Sequence, residues 1–119
     1  MASRIRRPDD FLPLSPVSFH ILLALADEPL HGYAVMRAVA DATDGRMKLG
    51  SGTLYRAIAS LLSSGLVKEA SPDRPSYDDA RRRYYEMTAF GRTVLVAETK
   101  RMAGAVTLAK AKRLLAKPG

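Results

Sequence analysis

The 119-residue chain contains no cysteine and no tryptophan. Without thiols there is no disulfide framework and no thiolate metal site to hold a small fold together. Histidine is scarce too, with two residues, His20 in an apolar stretch and His31 beside a turn. No acid pair stands at ligand spacing with them, so neither a metal nor a cofactor is expected. No run of 18 apolar residues occurs, which argues against a membrane span. The opening residues, MASRIRRPDD, lack the apolar region of a secretory signal, and a cytoplasmic location is expected. Catalytic patterns are missing as well. Asp9-Asp10 and Asp78-Asp79 fall in proline-containing segments, poor places for aligned acid–base chemistry. Gly50-Ser51-Gly52 lacks the spacing and the lysine of a phosphate-binding loop, and nothing stands ready to activate Ser51 as a nucleophile. The chain does not read as an enzyme.

What is abundant is basic charge. There are 19 Lys and Arg against 12 Asp and Glu, a formal net charge of +7. The excess is uneven. Residues 92–119 carry seven basic groups and one acid, Glu98, whereas the first 91 carry twelve basic and eleven acidic groups. A partner of negative charge is permitted, but the bulk number does not locate its site.

Periodicity divides the chain into segments. Residues 1–14, with Pro8, Pro13 and mixed charge, read as a flexible N-terminal arm carrying Arg4, Arg6 and Arg7. Ser15-Pro16 is a cap followed by a proline in the first helical position, and the apolar run that follows is a mostly enclosed helix stopping at Asp27-Glu28-Pro29. His31-Gly32-Tyr33 opens a second helix that fades at Asp41–Gly45. After the loop RMKLG a third helix begins at Ser51, with Leu54, Ile58, Leu61 and Leu62 at helical spacing and Gly65 as its stop. Leu66–Glu69 and Arg81–Met87 read as two strands of a hairpin with a turn-rich tip between them. Thr88 caps a last helix running to about Leu115, in which Gly104 is a weak point.

Three short helices followed by a hairpin are the plan of a winged helix-turn-helix. The fold class is therefore mainly α with a small β-hairpin, plus one long C-terminal helix. The expected division is an arm at 1–14, a winged helix-turn-helix domain at 15–87, a dimerisation helix at 88–115 and a tail at 116–119.

In such a fold the third helix presents its first turn to the major groove. Its exposed candidates are Ser51, Thr53, Tyr55 and Arg56, with Ser51 or Thr53 as the cap and Arg56 able to grip guanine or phosphate. The wing and its flank supply Lys48, Arg74, Arg81, Arg82 and Arg83 for phosphate contacts, although Asp73, Asp78 and Asp79 dilute the field near the tip. Tyr84 and Tyr85 alternate across the strand, one packing beneath the hairpin. They serve either as core or as a stacking surface.

Several short pieces, in this order and at these spacings, resemble the PadR-like transcriptional regulators. They are Leu30-His31-Gly32-Tyr33, Gly52-Thr53-Leu54-Tyr55-Arg56, Leu61 through Gly65-Leu66-Val67, Arg83-Tyr84-Tyr85 and Thr88-x-x-Gly91-Arg92. The resemblance implies a homodimeric winged-helix protein, most often a repressor, that binds double-stranded DNA, and in several members responds to a small molecule. It maps Thr53, Tyr55 and Arg56 onto the recognition helix, Arg81–Arg83 onto the wing, and His31 and Tyr33 onto the start of the second helix. The acidic residue common near the end of the recognition helix is absent, since the chain reads Leu62-Ser63-Ser64-Gly65. With room for one C-terminal helix, the chain resembles the short form of the family.

That last helix is too apolar to stand alone in water. Phe90, Val94, Leu95, Met102 and Val106, with Phe19 and Leu23 of the first helix, form the expected dimer interface. Between the subunits Phe19, Leu22, Leu23, Phe90 and Val94 form either a solid core or the lining of a cavity for a small apolar or aromatic effector. The expected function is a homodimeric repressor on a near-palindromic operator. The alternative is a winged-helix dimerisation or protein-interaction module without specific DNA readout, which the nearly neutral charge of residues 1–91 favours.

Overall fold

A computed structural model describes residues 6–71 and 82–115. A 3-10 turn (Pro8–Phe11) precedes α1 (Pro16–Ala24), β1 (Leu30–His31), α2 (Gly32–Ala42), α3 (Ser51–Ser63), β2 (Val67–Ala70), β3 (Tyr84–Met87) and α4 (Ala89–Ala111). The fold is the expected winged helix-turn-helix with a long last helix.

The helix starts follow from local chemistry. Ser15 Oγ accepts the Ser18 N–H at 3.1 Å, with Pro16 in the first position of α1. His31 caps α2 through Nδ1, which accepts from Ala34 N at 3.2 Å. Thr88 caps α4, accepting from Gly91 N at 2.9 Å. α3 differs from expectation. Its cap is Gly50, with no side-chain hydrogen bond, so Ser51 and Thr53 are left as exposed members of the first turn. α2 stops where Asp44 and Gly45 turn left-handed, at φ 52° and 75°, and α3 stops at Gly65, at φ 74°. α4 ends at Ala111, short of Leu115, because Arg113 adopts φ 61°.

The sheet has three strands rather than the two of a simple hairpin. β3 lies between β1 and β2, antiparallel to both, with Leu30 opposite Tyr85 and Val67 opposite Met87. A two-residue strand at Leu30–His31 is too short to announce itself by alternation. β3 begins at Tyr84, where its register with Ala70 starts, so Arg82 and Arg83 precede the strand rather than alternating along it. Arg74, Arg81 and the wing tip lie outside the described residues.

The core runs between α1, α2, α3, the sheet and the first half of α4. Ile21, Leu22, Val35, Leu54, Ile58 and Val94 are essentially inaccessible. Tyr85 is buried and Tyr84 half-buried, its ring edge-on to His31. On α4 the buried positions are Gly91, Val94, Leu95 and Glu98, one face at helical spacing. Gly91 sits there because α4 crosses the α3–β2 turn. A Cβ at Gly91 would stand 2.9 Å from the Leu66 carbonyl carbon and closer still to its oxygen.

Residues 6–14 correct the expectation of a flexible arm. Pro8–Phe11 packs on α4, with Phe11 and Phe90 edge to face at 5.5 Å between centroids. Leu14 N donates to Glu98 Oε2 at 2.8 Å. Glu98, 1% exposed, is also bound by Arg101, whose Nε lies 2.5 Å from Oε1 and Nη2 3.2 Å from Oε2. This satisfies a charge that burial would otherwise make costly. The Arg101 hydrogen bond, helped by the Leu14 N–H, holds the Glu98 carboxyl below its ordinary 4.5 despite burial.

Two predictions follow from this packing. Gly91→Ala should cost about 1–3 kcal/mol because backbone stands where the methyl would go. Gly104→Ala, which meets open space, should gain about 0.5–1 kcal/mol. Urea midpoints check both. For Glu98 the folded-state value is depressed, so its contribution is complete above 4.5 and is lost as pH falls through the folded value. The stability gap between wild type and Glu98→Gln should be largest at neutral pH and shrink as pH falls below 4.5. A gap that stays constant as pH falls would exclude a charged Glu98 as the tie.

Candidate nucleic-acid interface

α3 divides its residues cleanly. Leu54 and Ile58 face the core, while Ser51, Gly52, Thr53, Tyr55 and Arg56 are exposed, with Lys48 exposed in the loop before them. The first turn thus shows side chains together with backbone N–H groups that have no intrahelical partner, a favourable surface for phosphate. The position of Tyr55 is set by α2. A Cβ at Gly32 would fall 2.8 Å from Tyr55 Cζ, so the absence of a side chain at Gly32 is what lets the phenol lie against the start of α2.

Around that contact the fold assembles a groove of about 470 Å³, lined by His31, Gly32, Tyr33, Tyr55, Arg82, Arg83 and Tyr85. An adjoining hollow shares His31, Tyr33 and Arg82 and adds Arg37 and Asp41. Tyr33 is 61% exposed, with the Arg37 guanidinium 6.0 Å from its ring centroid. Arg82 Nη1 lies 3.3 Å from His31 Nε2. A neutral imidazole accepts at one nitrogen only, so the Arg82 contact and the Ala34 cap compete for it. Arg83 pairs with Glu69 at 3.5 Å across the wing base, and Lys68 with Glu86 at 3.4 Å. These are exposed pairs that contribute little to stability. They also neutralise part of the wing. Burial raises the Tyr85 phenol above its ordinary 10, with Tyr55 adding to the effect, so its hydroxyl is neutral.

The structure therefore brings Ser51, Thr53, Tyr55, Arg56, Lys48, His31, Tyr33, Arg82 and Arg83 to exposed or groove-lining positions. It does not do so for all the expected interface residues. Val94 and Leu95 are buried by their own chain, and Phe90 is half-buried against Phe11. α1 and the N-terminal segment cover this half of α4, so Val94 and Leu95 have no surface to offer a second subunit. Leu22 and Val94, both fully enclosed, cannot line a cavity between subunits. Leu23, Met102 and Val106 are exposed and Phe19 half-buried. Val96, Leu108, Leu114 and Leu115 join the exposed apolar set.

Sequence reasoning missed Glu98 and Phe11. A signal existed for both. Glu98 continues the 91, 94, 95 row, and Phe11-Leu12-x-Leu14 is more apolar than a solvated tail needs. Among the described residues no helix is long and apolar enough to cross a membrane, and no group of three or more His, Asp or Glu is placed to hold a metal.

Residues 21–97 match the model of the transcriptional regulator PadR-like family. A curated relative, an uncharacterised 37.1 kDa protein in a transposon of Streptomyces fradiae, is 41% identical over 83 residues. That match covers 70% of this chain but 22% of the relative. Among solved structures, a PadR family transcription regulator from Clostridium difficile superposes with a TM-score of 0.67 at 20% identity, covering 82% of this chain and 97% of that one. A transcriptional regulator from Clostridium thermocellum gives 0.64 at 23%, covering 80% and 87%. RosR of H. salinarum gives 0.62 at 21%, covering 89% and 100%. At these identities the structural likeness is one of fold.

The Gly32–Tyr55 contact carries a prediction. The far end of an exposed tyrosine can swing aside, so Gly32→Ala should change the melting temperature little. It should nevertheless displace the ring, moving the Tyr55 ring resonances in NMR spectra. Unmoved resonances would show that Gly32 does not seat Tyr55.

Proposed function

The chain belongs to the transcriptional regulator PadR-like family, a DNA-binding class rather than an enzymatic one, and from that premise we propose that it is a homodimeric repressor of a near-palindromic operator. The observation that carries this reading is the exposed first turn of α3. It offers Ser51, Thr53, Tyr55 and Arg56 beside Lys48, while Tyr55 also borders a groove edged by Arg82 and Arg83. On this reading α3 enters the major groove, Arg56 reads a base edge, and Lys48, Arg82 and Arg83 meet phosphates. His31 and Tyr33 border the same face from the start of α2. On the same reading the protein works in the cytoplasm.

Dimerisation is supported by the state of α4. From Arg101 to Leu108 every residue is exposed, Met102, Val106 and Leu108 among them. Two helical turns extending past the core with apolar side chains on them are marginal alone and stable against a partner. The same element from a second subunit, with Leu23 and Phe19, is the partner proposed. A small apolar or aromatic effector, on this reading, reaches the interface at Phe19 and Leu23.

Two substitutions and a salt series test the reading. A duplex selected by the protein from a random-sequence library should bind at least ~10³-fold more tightly than unselected duplex. Arg56→Ala should cost about 1–3 kcal/mol on the selected duplex and relax its sequence preference. Arg82→Ala should weaken both duplexes alike and flatten the log–log salt dependence by about one per subunit. Equal, weak binding to both duplexes would instead favour an interaction module that does not read sequence.

A further inference from the structure

Arg6 lies outside the winged-helix body, yet it touches two of the elements that matter to DNA binding. Its guanidinium carbon is 4.8 Å from the centroid of Phe90, in the first turn of α4, and 5.3 Å from that of Phe11. Through Nη2 it donates to the Ser64 carbonyl at the end of α3. That carbonyl is one of those a helix leaves without an internal partner, and a cation there is also favoured by the helix dipole. The next residue, Gly65, comes so close to the guanidinium that a Cβ would stand 2.9 Å from Arg6 Nη2. One planar side chain thus stacks on α4 and hydrogen-bonds α3. Lysine, a compact ammonium without a planar face or a rigid fork of donors, does both less well.

The place of this tie matters because α4 is a lever. At about 1.5 Å per residue its 23 residues span ~34 Å. A rotation of about 6° at its base would shift the far end by ~3.5 Å, close to the rise of one base pair. The base packs on α1 and is tied to it by Arg92 at the Ala26 carbonyl, but it meets the end of α3 through one turn, where Thr88 and Gly91 meet Gly65 and Leu66. A junction of one turn leaves the angle between α3 and α4 adjustable. Arg6 adds a second tie beside it, and the Leu14–Glu98 hydrogen bond a third further along α4.

Resting on the dimeric operator-binding reading above, we propose that Arg6 is a positioning residue for DNA recognition. It fixes the angle between α3 and α4, and through that angle the half-site spacing that the dimer accepts. Arg6 itself need not touch DNA.

The test uses the full chain. Wild type first selects paired half-sites from a random-sequence duplex library, and affinity is then measured on variants of the selected duplex with one base pair inserted or removed between half-sites. Wild type should lose about tenfold or more at either change. Arg6→Ala should lose less than about threefold relative to its own affinity for the parent duplex, while remaining dimeric. Arg6→Lys, which keeps charge and reach but not the stack, should fall between them and serves if the alanine variant folds poorly. A sharp spacing preference in both variants, or an equal weakening at every spacing, overturns the proposal. Amide exchange provides an arm without DNA. Protection of Gly65 and Leu66, whose N–H groups bond Leu62 and Leu61 carbonyls, should drop several-fold in Arg6→Ala while that of β3 is kept. Unchanged protection at Gly65 and Leu66 overturns the tie. A wild type that selects no paired half-sites overturns the dimeric reading and the spacing role with it, and the exchange result then shows separately whether Arg6 joins the two helices.

Discussion

The geometry of this protein depends on how α4 meets the turn between α3 and β2. Thr88 makes three bonds there. Its N–H goes to the Leu66 carbonyl at 3.1 Å, its hydroxyl donates to the Gly65 carbonyl at 2.7 Å, and the same oxygen accepts the Gly91 N–H. One turn later Gly91 leaves no room for a side chain against Leu66, and Arg92 reaches the Ala26 carbonyl beyond the end of α1. The Thr-x-x-Gly-Arg run is therefore a fitting that joins the end of α3, the base of the wing and the last helix. Every residue of it with a defined role acts through backbone groups, which explains why its spacing is so specific.

From that fitting α4 runs through two environments. Its first half is part of the core, with Val94 and Leu95 covered by the chain's own α1 and N-terminal segment. Its second half is bare. Glu98 marks the boundary, a buried carboxylate satisfied by Leu14 from one side and Arg101 from the other. A hydrophobic residue there would bury as well, but it would not hold the backbone of residue 14. An ionised carboxylate with two kinds of donor fixes the segment in one place, and exposes the attachment to acid. The same helix thus serves two purposes without conflict, because the covered and uncovered stretches are consecutive along it rather than on opposite faces.

The fold was legible in the sequence where the signal was local. Ser15-Pro16, Gly65 and Thr88 act as caps and stops through neighbouring backbone groups, and Leu54, Ile58 and Leu61 declare a helix face by spacing alone. The candidate site was legible for the same reason, since exposure of Thr53, Tyr55 and Arg56 follows from the burial of Leu54 and Ile58. What could not be read were contacts between distant segments. β1 is two residues long and exists because Tyr84 and Tyr85 lie beside it. Gly32 read as part of the opening of the second helix, and its closeness to Tyr55 appears only when α2 and α3 are packed. Val94 and Leu95 were apolar enough for either a core or an interface, and the deciding fact was that residues 6–14 fold over α4 instead of trailing away.

Charge shows the same division between what composition permits and what geometry assigns. The total of +7 permits an anionic partner without locating its site, and the basic groups near the candidate face are sorted by their partners. Lys68 and Arg83 sit opposite Glu86 and Glu69, Arg6 is committed to two phenylalanine rings and a helix end, and Arg101 to Glu98. Among the described residues Lys48 and Arg56 enter no ion pair, and Arg82 touches only an imidazole by its guanidinium among the bonds described. On the proposed reading these cations, with Arg37 and Arg46, which also enter no ion pair among the described residues, supply a general attraction to phosphate. Discrimination between duplexes then comes from fit, from Tyr55 seated against Gly32 and from the angle at which α3 is presented. Rigid attachment of α3 to the rest of the molecule is accordingly a requirement of recognition as well as of stability.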